Sequence, residues 1–594
     1  MRKSRSSEIK YSDLTTVFEG IVVGPVIKLL RDIEENYIPK RKISSDEELA
    51  EQVRKVEKIA LDLVKTEEYY INEGGLSKEI ESISHSYIMM IQEISKKIIL
   101  EIKEKRINAE YGVTNIIDRF SKKLGALGED YLKERIHDLY TIRNRFLAHL
   151  MEKNISSLQS IDKISHGESY ILVSDEIMPS DFSFIKKGII SGIIHGKGGR
   201  TSHVAIIARS MEIPTIVGAE KILSHINDRD IVILDAYDGQ IYINPELNTL
   251  KAYKKKKEER QKIYLDLINK TKSLPAITED KVRVNILANV EVDSDTEKLQ
   301  YYGAEGIGLY RTEFLFIEDE HSKVSLSLFM DEDKQFDVYK KLAVESNPKP
   351  VVIRTLDIAR NHIKDEKEEL NPFLGLRSIR YCLVNSGIFK TQIRAILRAS
   401  HFGYVKIMIP MVTNLEEVFT VKTLIEEVKK ELMSEEIFFD EDIEVGVMIE
   451  VPSSALLVDI IARSVDFITI GTNDLLQYTL AVDRSSPDVS YLYNPFSLAF
   501  LRLLAYVVEK VQGKPFYVCG EVTSDPLFII FSLGLGIKGF SMNIYDIPKI
   551  KNLISQISYA ESKVITEKIL ALDNEYEIKN ILQNFYNQKL KELG

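Results

Sequence analysis

The chain has 594 residues, 44% of them hydrophobic and 28% charged, with a formal net charge of −11. That is the balance of a soluble globular protein too long for one ordinary core, so roughly two to four domains are expected, and the acidic excess argues against a general nucleic-acid binder while leaving room for a local basic pocket. Two cysteines, Cys382 and Cys519, make no disulfide framework and suit a reducing compartment; no signal-peptide h-region follows the basic N-terminus and no apolar run reaches the ~18 residues of a membrane span, so the expected location is the cytoplasm.

The first strand-like run is "EGIVVGPVIKLL", Glu19 to Leu30. Residues 45–155 then read as long helices, because apolar residues recur at helical spacing in a charged background ("EELAEQVRKVEKIALDLV", "EYGVTNIIDRFSKKLGAL") and proline is absent. Over 156–245 the texture changes to short β-type runs ("SYILVS", "KGIISGIIHG", "TIVG", "DIVILDA", "QIYINP") punctuated by glycine and aspartate. This is an α/β unit to which the early strand can return, and residues 1–44 plus 156–245 are taken as one domain with the helical bundle inserted. The charged helical stretch at 246–275 is a connector. From 276 to 594 eight apolar runs alternate with helical pattern: "VRVNILANV", "GIGLY", "VVIRTLD", "VKIMIPM", "VGVMIEV", "FITIGTND", "FYVCGE" and "GFSMN". Continuous apolarity suits parallel strands covered on both faces, and the number and spacing predict a (β/α)8 barrel. The fold class is therefore α/β multidomain.

Two places carry chemistry. The first is "GKGGRTSHVAIIARS", Gly196 to Ser210, which sets His203 behind three glycines, Arg200, Thr201 and Ser202 at the start of an apolar helical run. Free N–H groups and a cation disfavour a protonated imidazole there and favour one that will carry an anion. Alone, such a histidine is more often a cap or a packing residue.

The second is the set of barrel strand ends, which converge on one mouth. Arg311 follows "GIGLY", Arg354 follows "VVI" with Asp357 close behind, Glu450 ends "VGVMI", Asn473 and Asp474 end "FITIGT", and Cys519 ends "FYV". Glu450 and Asp474 are hard oxygen ligands suited to Mg²⁺. Arg311, Arg354, Arg377 and Arg484 suit bidentate contact with phosphate and carboxylate. Metal plus arginines suggests a small, highly anionic, phosphorylated substrate, and Cys519 could protonate a developing carbanion. Each residue alone has a bland reading as an ion pair or core thiol; five strands contributing to one mouth are hard to explain as packing.

These motifs resemble those of the phosphoenolpyruvate-utilising enzymes. "GGRTSHVAIIAR" is similar to the family's phosphohistidine signature and "DFITIGTNDLLQYTLAVDR" to its C-terminal signature, and "GLYRTEFLF", "NPFLGLRSIR", "QIRAILRAS", "EVGVMIEVPSSA" and "VCGEVTSDP" also match. Their order and spacing resemble the enzyme I branch of the bacterial phosphotransferase system. The resemblance implies that His203 is phosphorylated on Nε2 by phosphoenolpyruvate and passes the group to a histidine of a phosphocarrier, HPr or a paralogue, releasing pyruvate. It implies that Arg311, Arg354, Arg377 and Arg484 bind phosphoenolpyruvate with Asn473 and Asp474, that Glu450 and Asp474 hold Mg²⁺, and that Cys519 protonates the enolpyruvate. A helical phosphocarrier-binding domain over 45–155, a linker helix over 246–275 and a homodimer through the 276–594 barrel follow from the same resemblance.

The chain departs from the family pattern in three places. The family's "GGDK" after the second arginine strand is Ala359, Arg360, Asn361 and His362 here. "SPGIA-G" is "FEGIVVG", and an Arg-Asp pair in the docking region is Tyr140 and Thr141. These departures keep open a slow or non-catalytic regulatory homologue. A pyruvate phosphate dikinase or phosphoenolpyruvate synthase relative would need a nucleotide-binding domain, and no segment before residue 160 fits one. The downstream pathway, sugar uptake or regulation, is not legible.

Overall fold

A computed structural model describes residues 8–12, 14–29, 38–72, 78–125, 139–140, 142–147, 149–151, 169–175, 177, 189–196, 208, 211, 213–291, 296–316, 326–363, 366–367, 369–484, 489–511 and 513–591. For residues 66–72, 78–87, 123–125, 297, 362, 490, 590 and 591 it describes the backbone alone. The chain forms two compact units, Met1–Lys262 and Ile263–Gly594.

The first unit contains a mixed sheet of β1 (Ile9–Tyr11), β2 (Thr15–Phe18), β3 (Ile21–Leu29), β4 (Tyr170–Ser174), β5 (Ile190–His195), β6 (Thr215–Val217), β7 (Ile231–Asp235) and β8 (Gln240–Ile243), in the order β1-β8-β7-β3-β4-β5-β6-β2. β3 pairs in parallel with β4, Val26 opposite Ile171, and antiparallel with β7, Ile21 opposite Asp235. The early strand therefore sits inside the sheet, and the helices between β3 and β4 are an excursion from it. Those helices are α1 (Asp46–Asn72), α2 (Lys78–Lys105) and α3 (Ala109–Gly125). Their apolar stripes close on one core that includes Val56, Ile91, Ile98, Val113, Ile117 and Phe146. Helix α4 (Leu247–Thr271) runs from the first unit into the second.

The second unit is a closed barrel of eight parallel strands: β10 (Arg283–Val290), β11 (Ile307–Arg311), β12 (Val351–Arg354), β13 (Val405–Ile409), β14 (Glu444–Ile449), β15 (Phe467–Gly471), β16 (Phe516–Cys519) and β17 (Gly539–Asn543). Closure is direct, since β10 pairs with β11 on one side and β17 on the other. A two-residue β9 (Ala276–Ile277) adds antiparallel to the start of β10. Every residue of β12, β13 and β15 is buried, because interior side chains cover one face and the outer helices the other. Leu309, Val352, Met408, Met448, Phe467 and Cys519 form an apolar cluster of the barrel. The helices begin where the sequence signals them. Helix α5 (Leu415–Ser434) opens with a capping box in which Asn414 Oδ1 accepts from the Glu417 N–H at 3.1 Å and Glu417 Oε2 accepts from the Asn414 N–H at 3.3 Å.

Candidate active site at the barrel mouth

The strand ends bring together most of the residues singled out in the sequence. Arg311, Arg354 and Cys519 are the last residues of β11, β12 and β16, and Glu450 follows β14 directly. Asn473 and Asp474 lie in the first turn of α6 (Thr472–Leu480), which opens straight off β15. Arg377 precedes the helix Ser378–Val384.

Local sequence explains how these side chains fit. A Cβ on Gly471 would meet Glu450 Oε2 at 2.8 Å and Met448 Sδ at 2.8 Å, so glycine leaves the room the carboxylate occupies. Gly520, at φ +118°, takes a conformation that side chains rarely adopt, and a Cβ there would overlap Thr472 Oγ1. That close approach lets the Thr472 hydroxyl donate to the Cys519 carbonyl at 2.7 Å and the Glu521 N–H donate to Asn473 Oδ1 at 3.0 Å. Met411 has φ 56° and Ser378 has φ 55°, so some backbone strain sits at the mouth. The Met411 N–H donates to Glu450 Oε1 at 2.7 Å.

Acids and arginines alternate across the mouth. Arg354 Nη1 reaches Asp357 Oδ2 at 3.0 Å, and its Nη2 pairs with Glu313 Oε1. Arg377 Nη2 lies 2.9 Å from Asp357 Oδ1 and 3.7 Å from Asp474 Oδ2. Arg311 Nη1 pairs with Glu291 Oε1 at 2.7 Å. Glu313 and Glu291 were not singled out in the sequence, and Asp357 was noted behind Arg354 without a role; the available signal was a carboxylate one to three positions from a strand end.

These pairs leave specific groups unsatisfied. Arg311 Nε, Arg354 Nε, Arg377 Nε and Arg484 Nη1 are buried donors without a hydrogen-bond partner, and Asp474 Oδ1 and Glu313 Oε2 are buried acceptors without one. Orphaned polar atoms are rare in native structures. Four orphaned guanidinium donors around one mouth are what an anionic ligand would satisfy.

The titrating groups respond to the same crowding. Burial, with repulsion from Asp474 and Asp357, pushes the Glu450 carboxyl up to about 8 against the pull of Arg354 and the Met411 N–H. Burial likewise raises Glu313, although Arg354 opposes it. Asp357 behaves oppositely: burial works to raise it, but Arg377 and Arg354 overcome burial and hold it down at about 2. Burial, then the Glu450 charge, pushes the Cys519 thiol up to about 12, and its Sγ donates to the Ile470 carbonyl at 3.6 Å. The thiol therefore keeps its proton near neutral pH.

Among the described residues no cluster of three or more His, Cys, Asp or Glu side chains is built to hold a metal by itself. Mg²⁺ does not require one, since it retains waters and takes one or two carboxylates plus substrate oxygens. Glu450 and Asp474 fit that role, because Asp474 has an orphaned buried oxygen and burial together with repulsion from Asp474 raises Glu450, an arrangement a cation would relieve.

His203, with Arg200, Thr201 and Ser202, lies outside the described residues. The described start of its motif is built for close approach: Gly196 donates to the Ser174 carbonyl at 2.8 Å, and a Cβ there would meet Leu223 Cδ1 at 2.6 Å and the Asp175 Cα at 3.2 Å. In the helical region Thr141 is also outside the described residues, whereas the Tyr140 ring is half-buried under the Arg143 guanidinium at 4.6 Å. Arg360 is not a free cation. Its Nε and Nη2 both hold Glu366 Oε2 at 2.8 Å.

Three family profiles match the chain: the N-terminal domain of the PEP-utilising enzymes over residues 15–135, their mobile domain over 166–239 and their PEP-binding domain over 266–559. Among similar proteins, the phosphoenolpyruvate-protein phosphotransferase of Mycoplasma capricolum subsp. capricolum is 35% identical over 560 residues, covering 93% of this chain and 95% of that one. The protein of the same name from Haemophilus influenzae is 38% identical over 522 residues, covering 86% and 88%. That of Priestia megaterium is 35% identical over 577 residues, covering 96% and 98%.

Proposed function

The chain belongs to the phosphoenolpyruvate-protein phosphotransferase family, the enzymes of the first step of the phosphotransferase system, and from that premise we propose how its own residues carry the reaction. The observation that carries the reading is the set of four arginines at the mouth, each with an orphaned buried N–H, beside the buried carboxylates of Glu450 and Asp474. Arg311, Arg354, Arg377 and Arg484 bind the phosphate and carboxylate of phosphoenolpyruvate, and Asn473 and Asp474 complete the cradle. Glu450 and Asp474 would hold Mg²⁺, which would neutralise charge on the substrate.

The neutral Nε2 of His203 attacks phosphorus as the bond to the enol oxygen breaks, so the phosphoryl group moves to the imidazole and enolpyruvate is left as its enolate. Phosphoryl transfer needs positioning and charge neutralisation more than covalent help. The arginines supply both. The Cys519 thiol, held protonated, gives its proton to C3 of the enolate, forming pyruvate; the thiolate then recovers a proton from solvent. The phosphorylated His203 passes its group to a histidine of HPr or a paralogue of HPr, docked on the 45–155 helices. This assigns residues 1–44 plus 156–245 to the phosphohistidine domain, 246–275 to the linker helix and 276–594 to phosphoenolpyruvate binding and homodimerisation. The reading places the protein in the cytoplasm. No described helix is long and apolar enough to cross a membrane, and both cysteines are free and buried.

The test is incubation of the full chain with ³²P-labelled phosphoenolpyruvate and Mg²⁺. Acid-labile, base-stable label in the wild type and none in His203→Ala is expected. Label retained by His203→Ala refutes the assignment of the nucleophile.

A further inference from the structure

We infer that Asp357 is the positioning residue for the substrate arginines: its carboxylate fixes the spacing and orientation of Arg354 and Arg377, and through them the affinity for phosphoenolpyruvate. This rests on the reading that those two arginines bind the substrate.

The geometry distinguishes Asp357 from the other acids of the mouth. Each of its oxygens serves one guanidinium, Oδ2 taking Arg354 Nη1 at 3.0 Å and Oδ1 taking Arg377 Nη2 at 2.9 Å. Glu313 serves Arg354 alone and leaves Oε2 without a partner. Glu291 serves Arg311 and has a side chain 36% exposed. Asp357 is thus shared by two substrate arginines, through a hydrogen-bonded ion pair with Arg377 and an ion pair with Arg354, and its side chain is 4% exposed.

The backbone under Asp357 is fixed on both sides. The Thr355 N–H donates to the Met408 carbonyl at 2.9 Å, the Leu356 N–H to Gln392 Oε1 at 2.9 Å, and the Ser378 N–H to the Ile358 carbonyl at 3.0 Å. Gln392 Nε2 in turn donates to Thr312 Oγ1 at 3.2 Å, and that hydroxyl donates to the Arg354 carbonyl at 2.9 Å. The acid and the arginine it holds are therefore tied to one frame. The bridge consumes one terminal nitrogen of each guanidinium and leaves each Nε–H buried and unpartnered. An acid that served only to neutralise charge in the core would have no need to leave those donors open. One that aims two guanidiniums must.

The test is a double-mutant cycle on the full-length protein, read by phosphoenolpyruvate–pyruvate isotope exchange, which needs no carrier. Asp357→Asn is expected to raise the KM for phosphoenolpyruvate about tenfold or more, with a smaller fall in exchange rate at saturation. In an Arg377→Ala background the same substitution is expected to change KM less than about threefold, because the residue it acts through is gone. Equal effects in both backgrounds overturn the inference, as does a near-wild-type KM for Asp357→Asn. The underlying reading fails separately: an Arg377→Ala enzyme with unchanged KM means that Arg377 does not bind substrate. If Asp357→Asn does not fold, the cycle run with Asp357→Glu is judged by the same criterion.

Discussion

Glu450 is a buried acid whose neutrality has a calculable consequence. Its carboxyl stands near 8 in the folded chain and at the ordinary 4.5 in the unfolded one. Between those values the folded state binds the extra proton, so stability falls as pH rises from about 4.5 to about 8. By pH 7 the loss is about 3 kcal/mol, taking about 1.4 kcal/mol per tenfold. Glu450→Gln removes that loss while its amide oxygen can still accept from the Met411 N–H. In chelator, the variant should therefore melt higher than the wild type at pH 7.5, by about a few degrees, and the difference should shrink toward zero near pH 4.5. Adding Mg²⁺ should raise the wild-type midpoint and leave that of the variant unchanged, because only the wild type retains both proposed ligands. Turnover with phosphoenolpyruvate should be lost in the variant, so stability and activity move in opposite directions. Scanning calorimetry across pH with and without Mg²⁺ is the assay. A variant midpoint equal to or below the wild-type midpoint at pH 7.5 in chelator would refute the reasoning.

Three further outcomes are expected. Cys519→Ala should retain phosphoenolpyruvate binding by calorimetry but lose pyruvate formation by about a hundredfold or more; wild-type turnover would make Cys519 a packing residue of the barrel. Gly520→Ala should lower both the melting midpoint and kcat, since a Cβ there overlaps Thr472 Oγ1 and approaches Asn473 Oδ1 at 2.9 Å; an unperturbed variant would mean that the α6 start moves freely. Sedimentation with Mg²⁺ and phosphoenolpyruvate should give a homodimer at micromolar concentration, and a monomer alone would count against that reading.

The eight barrel strands were legible because parallel strands buried on both faces are written as unbroken apolar runs bounded by helical pattern. The terminal polar residues were legible for a related reason: Arg311, Arg354, Glu450 and Cys519 interrupt those runs at the one end where a polar group has no place in the core. β1, β2 and β9 were not legible because each pairs antiparallel at the edge of its sheet, part-exposed, and so carries no unbroken apolar run. The counter-ions were the larger omission. Asp357 and Glu313 stand beside arginines in the sequence, but a linear pattern does not say that Asp357 is shared with Arg377, twenty residues on. That sharing depends on how the 359–377 loop returns to the strand end, where Ala359 bridges Arg377.

The same loop carries the chain's clearest departure from its family's pattern, and its structure sharpens what the departure does. With Ala359 and Arg360 in place of a glycine pair the backbone has fewer conformations open to it. Side-chain bonds narrow them further. Asn361 Nδ2 donates to the Glu369 carbonyl at 3.1 Å while its Oδ1 accepts from the Glu369 N–H at 2.9 Å, and Arg360 is spent on Glu366. Arg360 therefore does not stand in for the missing lysine, and the segment is pinned by at least two independent contacts. If closure over substrate requires this segment to move, the enzyme binds phosphoenolpyruvate normally but turns over slowly. Replacing the four residues together (Ala359→Gly, Arg360→Gly, Asn361→Asp, His362→Lys) frees the Glu366 contact, removes the amide donor to Glu369 and restores a fixed positive charge. The expected result is a rise in kcat with little change in KM, measured by steady-state pyruvate formation with a phosphocarrier as acceptor. An unchanged or lower kcat would mean that the pinned loop is already in its working conformation, and that its contacts compensate for the residues it lacks.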